Sequence, residues 1–232
     1  MGYIKVPKVY EKLKKAEMLF SPIIMTAATG WGKSAACEYF YRRKNPLTLR
    51  CEDGHICGIP SYSEYKGSIV IIEDMQWLSE EDSISFLKRL LHTPGLQVVM
   101  LTRGSVPKYL AGEVMDLGFI RINESDFAFE KKEVDAFFKD HGIELQPDDA
   151  ALVTEASQGY VRALYCYAER MGNGIRYSED IKEAVWLDMY HLWDGFVSGK
   201  WTDDFIYFAL CVCQYEEFTQ DMAEYLTHNV TV

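Results

Sequence analysis

Two patterns of apolar positions divide the chain. In the first half, short apolar runs recur at Ile23–Met25, Leu47–Cys51, Ser68–Asp74, Gln97–Leu101 and Phe119–Ile122, separated by segments of helical period or turn residues. Beyond Phe129 only the helical period remains, with breaks at His141-Gly142 and Gly172-Asn173-Gly174. Near-continuous apolar strands that alternate with helices predict a parallel sheet covered on both faces. The helical stretches predicted after it are Lys131–Asp140, Asp148–Ala156, Gly159–Met171, Ser178–Trp193, Lys200–Cys213 and Thr219–Leu226. The expected fold is therefore α/β in the first part and all-helical in the second, divided at about residues 1–127, 128–176 and 177–232.

Before the first strand, Tyr10, Leu13, Ala16 and Leu19 share one face of a predicted helix. Glu52–Lys66 is rich in Gly, Pro, Ser and Tyr and reads as a loop too short for a full crossover helix. Glu80–Leu91 has an apolar face of Ile84, Leu87, Leu90 and Leu91 and ends at Pro94-Gly95.

The first strand runs into the candidate chemistry. Ile23–Met25 is followed by Thr26-Ala27-Ala28-Thr29-Gly30-Trp31-Gly32-Lys33-Ser34-Ala35 and then by a helix. Strand, glycine-rich turn and helix are the context that a Walker A motif requires, although Ala27 stands where the consensus has its first glycine. Consecutive amides of such a turn cradle phosphate oxygens, and the helix that follows contributes its positive dipole end. The candidate nucleotide-binding residues are thus Ala28, Thr29, Gly30, Trp31, Gly32, Lys33, Ser34 and Ala35. Lys33 would reach the β- and γ-phosphates, and the Ser34 hydroxyl would ligate Mg²⁺.

Two further strand ends point to the same edge. The run Ile69–Ile72 ends in Glu73-Asp74, a Walker B pattern in which one carboxylate joins the Mg²⁺ shell and the other orients water. Glu73 is the candidate for the metal and Asp74 for the water, although strand register decides between them. The strand Gln97–Leu101 delivers Thr102 and Arg103, and an arginine there can read a γ-phosphate.

Composition narrows the field. A chain of 232 residues, 48% hydrophobic, can bury a large core. Its net charge of −11 argues against direct nucleic-acid binding, because the basic stretches Lys12–Lys15 and Arg42–Lys44 are short. No signal-peptide core or membrane-length apolar run is visible, and six cysteines without a disulfide framework suit a reducing cytoplasm. Cys51, His55 and Cys57 lack paired CxxC spacing and a fourth ligand, so zinc is not expected there.

Several stretches together resemble the signal-transduction ATPases with numerous domains (the STAND class), and most of all the large LuxR-type, maltose-regulon-activator-like regulators. Val6-Pro7, the short helix and Ala-Ala-Thr-Gly-Trp-Gly-Lys-Ser resemble that family's opening, where alanine commonly replaces the first glycine. Ile72–Leu78 is similar to its Walker B segment, Leu101–Arg103 to its sensor segment, and Asp126–Met171 to its helical domain. Ser157-Gln158-Gly159-Tyr160 stands where the family has a glycine-aromatic motif near the nucleotide, so the resemblance places Gly159 and Tyr160 at the cofactor. Val161 departs from the proline that many relatives carry there. Tyr190–Leu226 resembles the start of a winged-helix domain.

The resemblance implies a nucleotide-controlled switch with ATP or ADP and Mg²⁺ as cofactors, a P-loop AAA+-like fold, and slow hydrolysis by Glu73, Asp74 and Arg103. It also implies self-association in the ATP form, and DNA contact only through a C-terminal domain absent from this chain, which would make the chain an N-terminal fragment or a truncated relative. Two other readings stay open. One is a small-molecule or nucleoside kinase with a helical lid, which would need several lid arginines, whereas Arg162, Arg170 and Arg176 are scattered. The other is an AAA+ loader or remodeller, against which the acidic balance weighs.

Overall fold

In a computed structural model, the described residues are 4–59, 68–197, 202–213, 215 and 217–227. Six strands form one sheet: β1 (Ile23–Thr26), β2 (Leu47–Glu52), β3 (His55–Cys57), β4 (Ile69–Glu73), β5 (Gln97–Thr102) and β6 (Ile120–Asn123). Their spatial order is β3-β2-β4-β5-β1-β6, and every neighbouring pair is parallel except β2 with β3. The strand that enters the glycine-rich turn therefore lies between β5 and β6, and β4 lies one strand further over.

Position in the sheet explains the side-chain patterns. β5 is central and buried at every residue, and β4 is buried up to Ile72. β2 lies toward the edge and alternates, with Leu49 and Cys51 buried and Arg50 exposed. One face of the sheet packs Ile24, Val70, Ile72, Val98 and Met100 against Leu87 and Leu91 of α3 (Glu81–Leu91) and against Leu110. Elsewhere α1 (Pro7–Leu19) packs against β6 and against α2 (Lys33–Tyr41). The face of α1 is rotated from expectation: Val9, Leu13 and Ala16 are buried, whereas Leu19 is exposed.

The segment 52–66 is not wholly loop. β2 and β3 form an antiparallel hairpin in which Glu52 pairs with His55 across Asp53-Gly54, both at positive φ (47° and 91°). Asp-Gly is a strong signal for a two-residue hairpin turn, and it outweighs the loop-like composition of the surrounding stretch. The remainder of the expected loop, at 60–67, lies outside the described residues. In the hairpin Cys51 is buried, while His55 and Cys57 are exposed.

After β6 comes α5 (Glu124–Phe127), a short helix fixed by reciprocal capping between Asn123 and Asp126. Then follow α6 (Lys131–Asp140), α7 (Pro147–Ser157) and α8 (Val161–Met171), with α6 packed on α7 and α7 on α8. (α4 is Ala111–Asp116, before β6.) The chain divides into two compact units, Met1–Lys182 and Glu183–Val232, and the boundary falls within α9 (Glu179–Val197). The sheet and the helices up to α8 thus belong to one unit. In the second unit α10 (Asp203–Val212) packs on α11 (Gln220–Leu226), and each starts from a threonine, Thr202 or Thr219, whose hydroxyl accepts a backbone N–H. Cys211 is half-buried and Cys213 exposed, so the latter is not a core thiol. Residues 198–201 and 228–232, where part of one expected helix and the expected tail fall, lie outside the described residues.

A backbone crossing joins the sheet's exit to the helices. The Phe129 N–H donates to the Gly159 carbonyl at 3.0 Å. Gly159 has φ +70°, and a Cβ there would collide with the Phe129 backbone. Gly118 has a similar φ of +62° but open space around it. Gly118→Ala is expected to cost about 1–2 kcal/mol for the left-handed backbone alone. Gly159→Ala should cost a further ~1–3 kcal/mol from the forced contact. Urea unfolding of the two variants checks this, and equal midpoints would contradict the close crossing.

Candidate functional site

The turn after β1 has the backbone that its glycines permit. Gly30 and Gly32 have φ of +90° and +86°. Gly32 caps α2, whose first helical bond runs from the Ala36 N–H to the Gly32 carbonyl at 2.9 Å. The amides of the first turn of α2, at Lys33, Ser34 and Ala35, therefore have no partner within the helix and can serve an anion.

This turn forms one wall of a cavity of about 500 Å³. Thr29, Gly30, Trp31, Gly32, Lys33, Ser34 and Ala35 line it, as do Glu73, Asp74 and Arg103 from the ends of β4 and β5. The three sequence-predicted segments therefore meet at one sheet edge. Ala28, Gly159 and Tyr160 lie outside the lining. Ala28 turns its N–H to the Glu124 carboxylate at 2.7 Å. Gly159 serves the backbone crossing, and the Tyr160 hydroxyl donates to the Thr29 carbonyl at 2.6 Å.

The cavity also has an apolar and aromatic set of lining residues, Ile4, Val6, Phe127, Phe129, Phe137 and Tyr165. Sequence reading did not assign these to the site: Val6 figures only in the family-like opening, Phe137 looks like an ordinary apolar position of α6, and the others carry no motif. Arg50, Gln76 and Arg162 also line the cavity and were not assigned to it. Of the three scattered arginines Arg162 alone is in the cavity lining, whereas Arg176 is committed elsewhere and holds buried Asp149 at 2.5 Å. The parallel register that pairs Arg50 with Glu73 is what could have exposed Arg50, but that register is not legible in either strand alone.

The acidic pair is held by cations. Glu73 is the last residue of β4 and meets Arg50 at 3.2 Å. Asp74 leaves the strand with φ +58°, a conformation that aspartate tolerates better than most residues. Its Oδ1 accepts from Arg103 Nη2 at 2.9 Å and from Gln76 Nε2 at 2.9 Å, and Gln76 Oε1 in turn accepts the Arg103 backbone N–H at 3.1 Å. Arg50 Nε lies 3.8 Å from the other oxygen of Asp74.

Lys33 folds back onto its own loop and donates to the carbonyls of Ala27 at 2.5 Å and Ala28 at 2.9 Å. Burial, and secondarily the Arg103 charge, push its pKa down from 10.5 to about 8, against the opposing pull of Asp74, Glu124 and Glu73. An arriving anion would favour the charged form of this ammonium. The residues present suit a polyphosphate with a hard divalent cation: amides and Lys33 for phosphate oxygens, and the Ser34 hydroxyl with the Glu73 and Asp74 carboxylates as oxygen donors. No helix among the described residues is long and apolar enough to cross a membrane.

No protein-family model matches the sequence, and no curated protein matches it. Among solved structures, the chain is similar to the Walker-type ATPase Paby2304 of Pyrococcus abyssi. The TM-score is 0.65 at 12% identity, over 98% of this chain and 89% of that one. Two structures of RuvB from Thermotoga maritima match at a TM-score of 0.49, with 14% and 15% identity, over 77% of this chain and 66% of theirs. Those two scores are too low to bear on the fold. The Paby2304 match, with the parallel sheet and the geometry of the glycine-rich turn, establishes the fold as that of a Walker-type P-loop ATPase.

The Lys33 environment has a measurable consequence in the free protein. Its folded pKa lies below its unfolded one, so between pH 8 and 10.5 the unfolded chain holds the extra proton and stability rises with pH. Urea unfolding from pH 7 to 10 should show the wild type gaining stability relative to Lys33→Met above about pH 8, with a flat difference below it. Parallel curves throughout would contradict the depressed value.

Proposed function

We propose that the cavity binds an adenine nucleotide with Mg²⁺, and that the chain works as the nucleotide-controlled switch of a LuxR-type regulator of the STAND class. The base lies toward the aromatic residues and the phosphates lie along the turn. Lys33 releases the Ala27 and Ala28 carbonyls and binds β- and γ-phosphate oxygens, joined by the first-turn amides of α2. Ser34 and Glu73 would hold Mg²⁺, which would supply neutralisation of phosphate charge. The aromatic lining fits any purine, and the adenine preference comes from the family resemblance.

The observation that carries the switch reading is the contact between Arg103 and Asp74 at 2.9 Å inside the cavity. A γ-phosphate competes with Asp74 for that guanidinium, whereas a diphosphate does not reach it. ATP and ADP thereby make different contacts with the same residues, which is the condition for a ligand to shift a conformational equilibrium. Release of Arg103 also frees the Asp74 carboxylate to orient water, which accounts for slow hydrolysis without a dedicated base. In this reading the ATP form self-associates.

A kinase with a helical lid is the second reading, favoured by one observation, the presence of Arg162 at the cavity from the helical side. Phosphate transfer to a small acceptor, at turnover well above the hydrolysis background, would select it over the switch.

Saturating ADP–Mg²⁺, at about a hundredfold over its dissociation constant, should stabilise the protein by roughly 2.7 kcal/mol. For a chain of this size the melting shift is roughly 5–10 °C. Lys33→Ala should abolish the shift for both nucleotides. Arg103→Ala should retain the ADP shift and lose the distinction between ADP and a non-hydrolysable ATP analogue. Equal losses for both nucleotides in Arg103→Ala would refute its role as the γ-phosphate sensor.

A further inference from the structure

Tyr160, at the start of α8, touches the phosphate loop in three ways. Its hydroxyl donates to the Thr29 carbonyl at 2.6 Å. Its ring lies 4.9 Å, centroid to centroid, from that of Trp31. A Cβ built on Gly30 would run into the Tyr160 hydroxyl, so the loop and the tyrosine fit only because Gly30 has no side chain. The tyrosine is itself anchored on the helical side. Gly159, the residue before it, forms the backbone crossing with Phe129, and the Tyr160 N–H donates to the Ser157 carbonyl at 2.9 Å.

We propose that Tyr160 is a positioning residue: a clasp that joins the phosphate loop to the start of α8 and transmits the loop's occupancy to the helical region. The proposal rests on the nucleotide reading given above and gives it a specific link. The physical reason lies in the adjacency of the bonds. Lys33 holds the carbonyls of Ala27 and Ala28, and Tyr160 holds the next carbonyl, that of Thr29. When Lys33 leaves its two carbonyls for phosphate, the peptide units that set the direction of the Thr29 carbonyl are re-oriented. The phenol must follow that carbonyl or lose it. Because Tyr160 is the residue from which α8 starts, either outcome is felt at Val161 and Arg162, which line the cavity. The sequence resemblance placed Tyr160 at the nucleotide; in the structure its hydroxyl holds the Thr29 carbonyl of the loop, next to the cavity-lining Trp31.

The test is amide hydrogen exchange of residues 29–33 and 159–163, with and without ADP–Mg²⁺. Tyr160→Phe removes the single O–H donor and keeps the ring against Trp31. In the free protein it should speed exchange of both segments about two- to tenfold, the effect of one lost hydrogen bond. Gly30→Ala should loosen the 159–163 segment as well. Gly118→Ala, at a left-handed φ outside the loop and with open space around it, should leave that segment unchanged. On adding ADP–Mg²⁺, both segments of the wild type should slow. In Tyr160→Phe the loop should slow while 159–163 does not, a loss of coupling that a merely structural role would not produce. The proposal is overturned if Tyr160→Phe leaves 29–33 unchanged, or if nucleotide still protects 159–163 in that variant. If ADP–Mg²⁺ protects neither segment of the wild type, the nucleotide reading fails, and the link between loop and α8 is then decided by the free-protein variants alone.

Discussion

Four cations and two carboxylates meet around one cavity: Lys33, Arg50, Arg103 and Arg162 with Glu73 and Asp74. In a protein of net charge −11 this is a local reversal of sign, and it needs a partner. Within the free protein the balance is struck internally: Arg50 sits on Glu73, Arg103 on Asp74, and Lys33 on loop carbonyls. Each of these pairings can be exchanged for a phosphate oxygen or a metal ion. Burial, with the Arg103 charge beside it, pushes the Lys33 pKa down to about 8. A site with balanced charges would have no reason to respond to a ligand, whereas this one has several bonds to trade.

The sheet exists, for this purpose, to bring the strand ends together. β1 delivers the loop, β5 delivers Arg103 beside it, and β4 delivers the acids one strand further on. The extended apolar runs that make these strands also bury them, so their C-terminal ends are held rigidly while the side chains beyond remain accessible. The helical region completes the enclosure from the other side within the same compact unit, through Phe137, Val161, Arg162 and Tyr165. The cavity lining therefore combines charged residues set by the sheet with aromatic residues contributed largely by chain beyond it.

What was legible in the sequence follows the same division. Hydrophobic runs revealed the five parallel strands, because burial on both faces leaves a strong local signature. The chemistry at their ends was legible because motif and strand end coincide, as at Lys33, Glu73, Asp74 and Arg103. The residues that depend on pairing between distant segments were not. Arg50 gains meaning only from its register with Glu73, and Phe127, Phe129 and Tyr165 only from the way the chain returns over the loop. The β2–β3 hairpin is a different case, since Asp53-Gly54 carried the signal and surrounding Gly- and Ser-rich composition obscured it. Gly159 is different again: a glycine near the nucleotide and a glycine at a backbone crossing look identical until its neighbours are known.

The central claim is that this cavity takes a nucleotide, and its most direct test is native mass spectrometry of the purified protein, before and after incubation with ADP and Mg²⁺. The account predicts a bound species heavier than the polypeptide by the mass of an adenine nucleotide, copurified or acquired on incubation, and absent from Lys33→Ala. A bare polypeptide mass in the wild type under both conditions would contradict it.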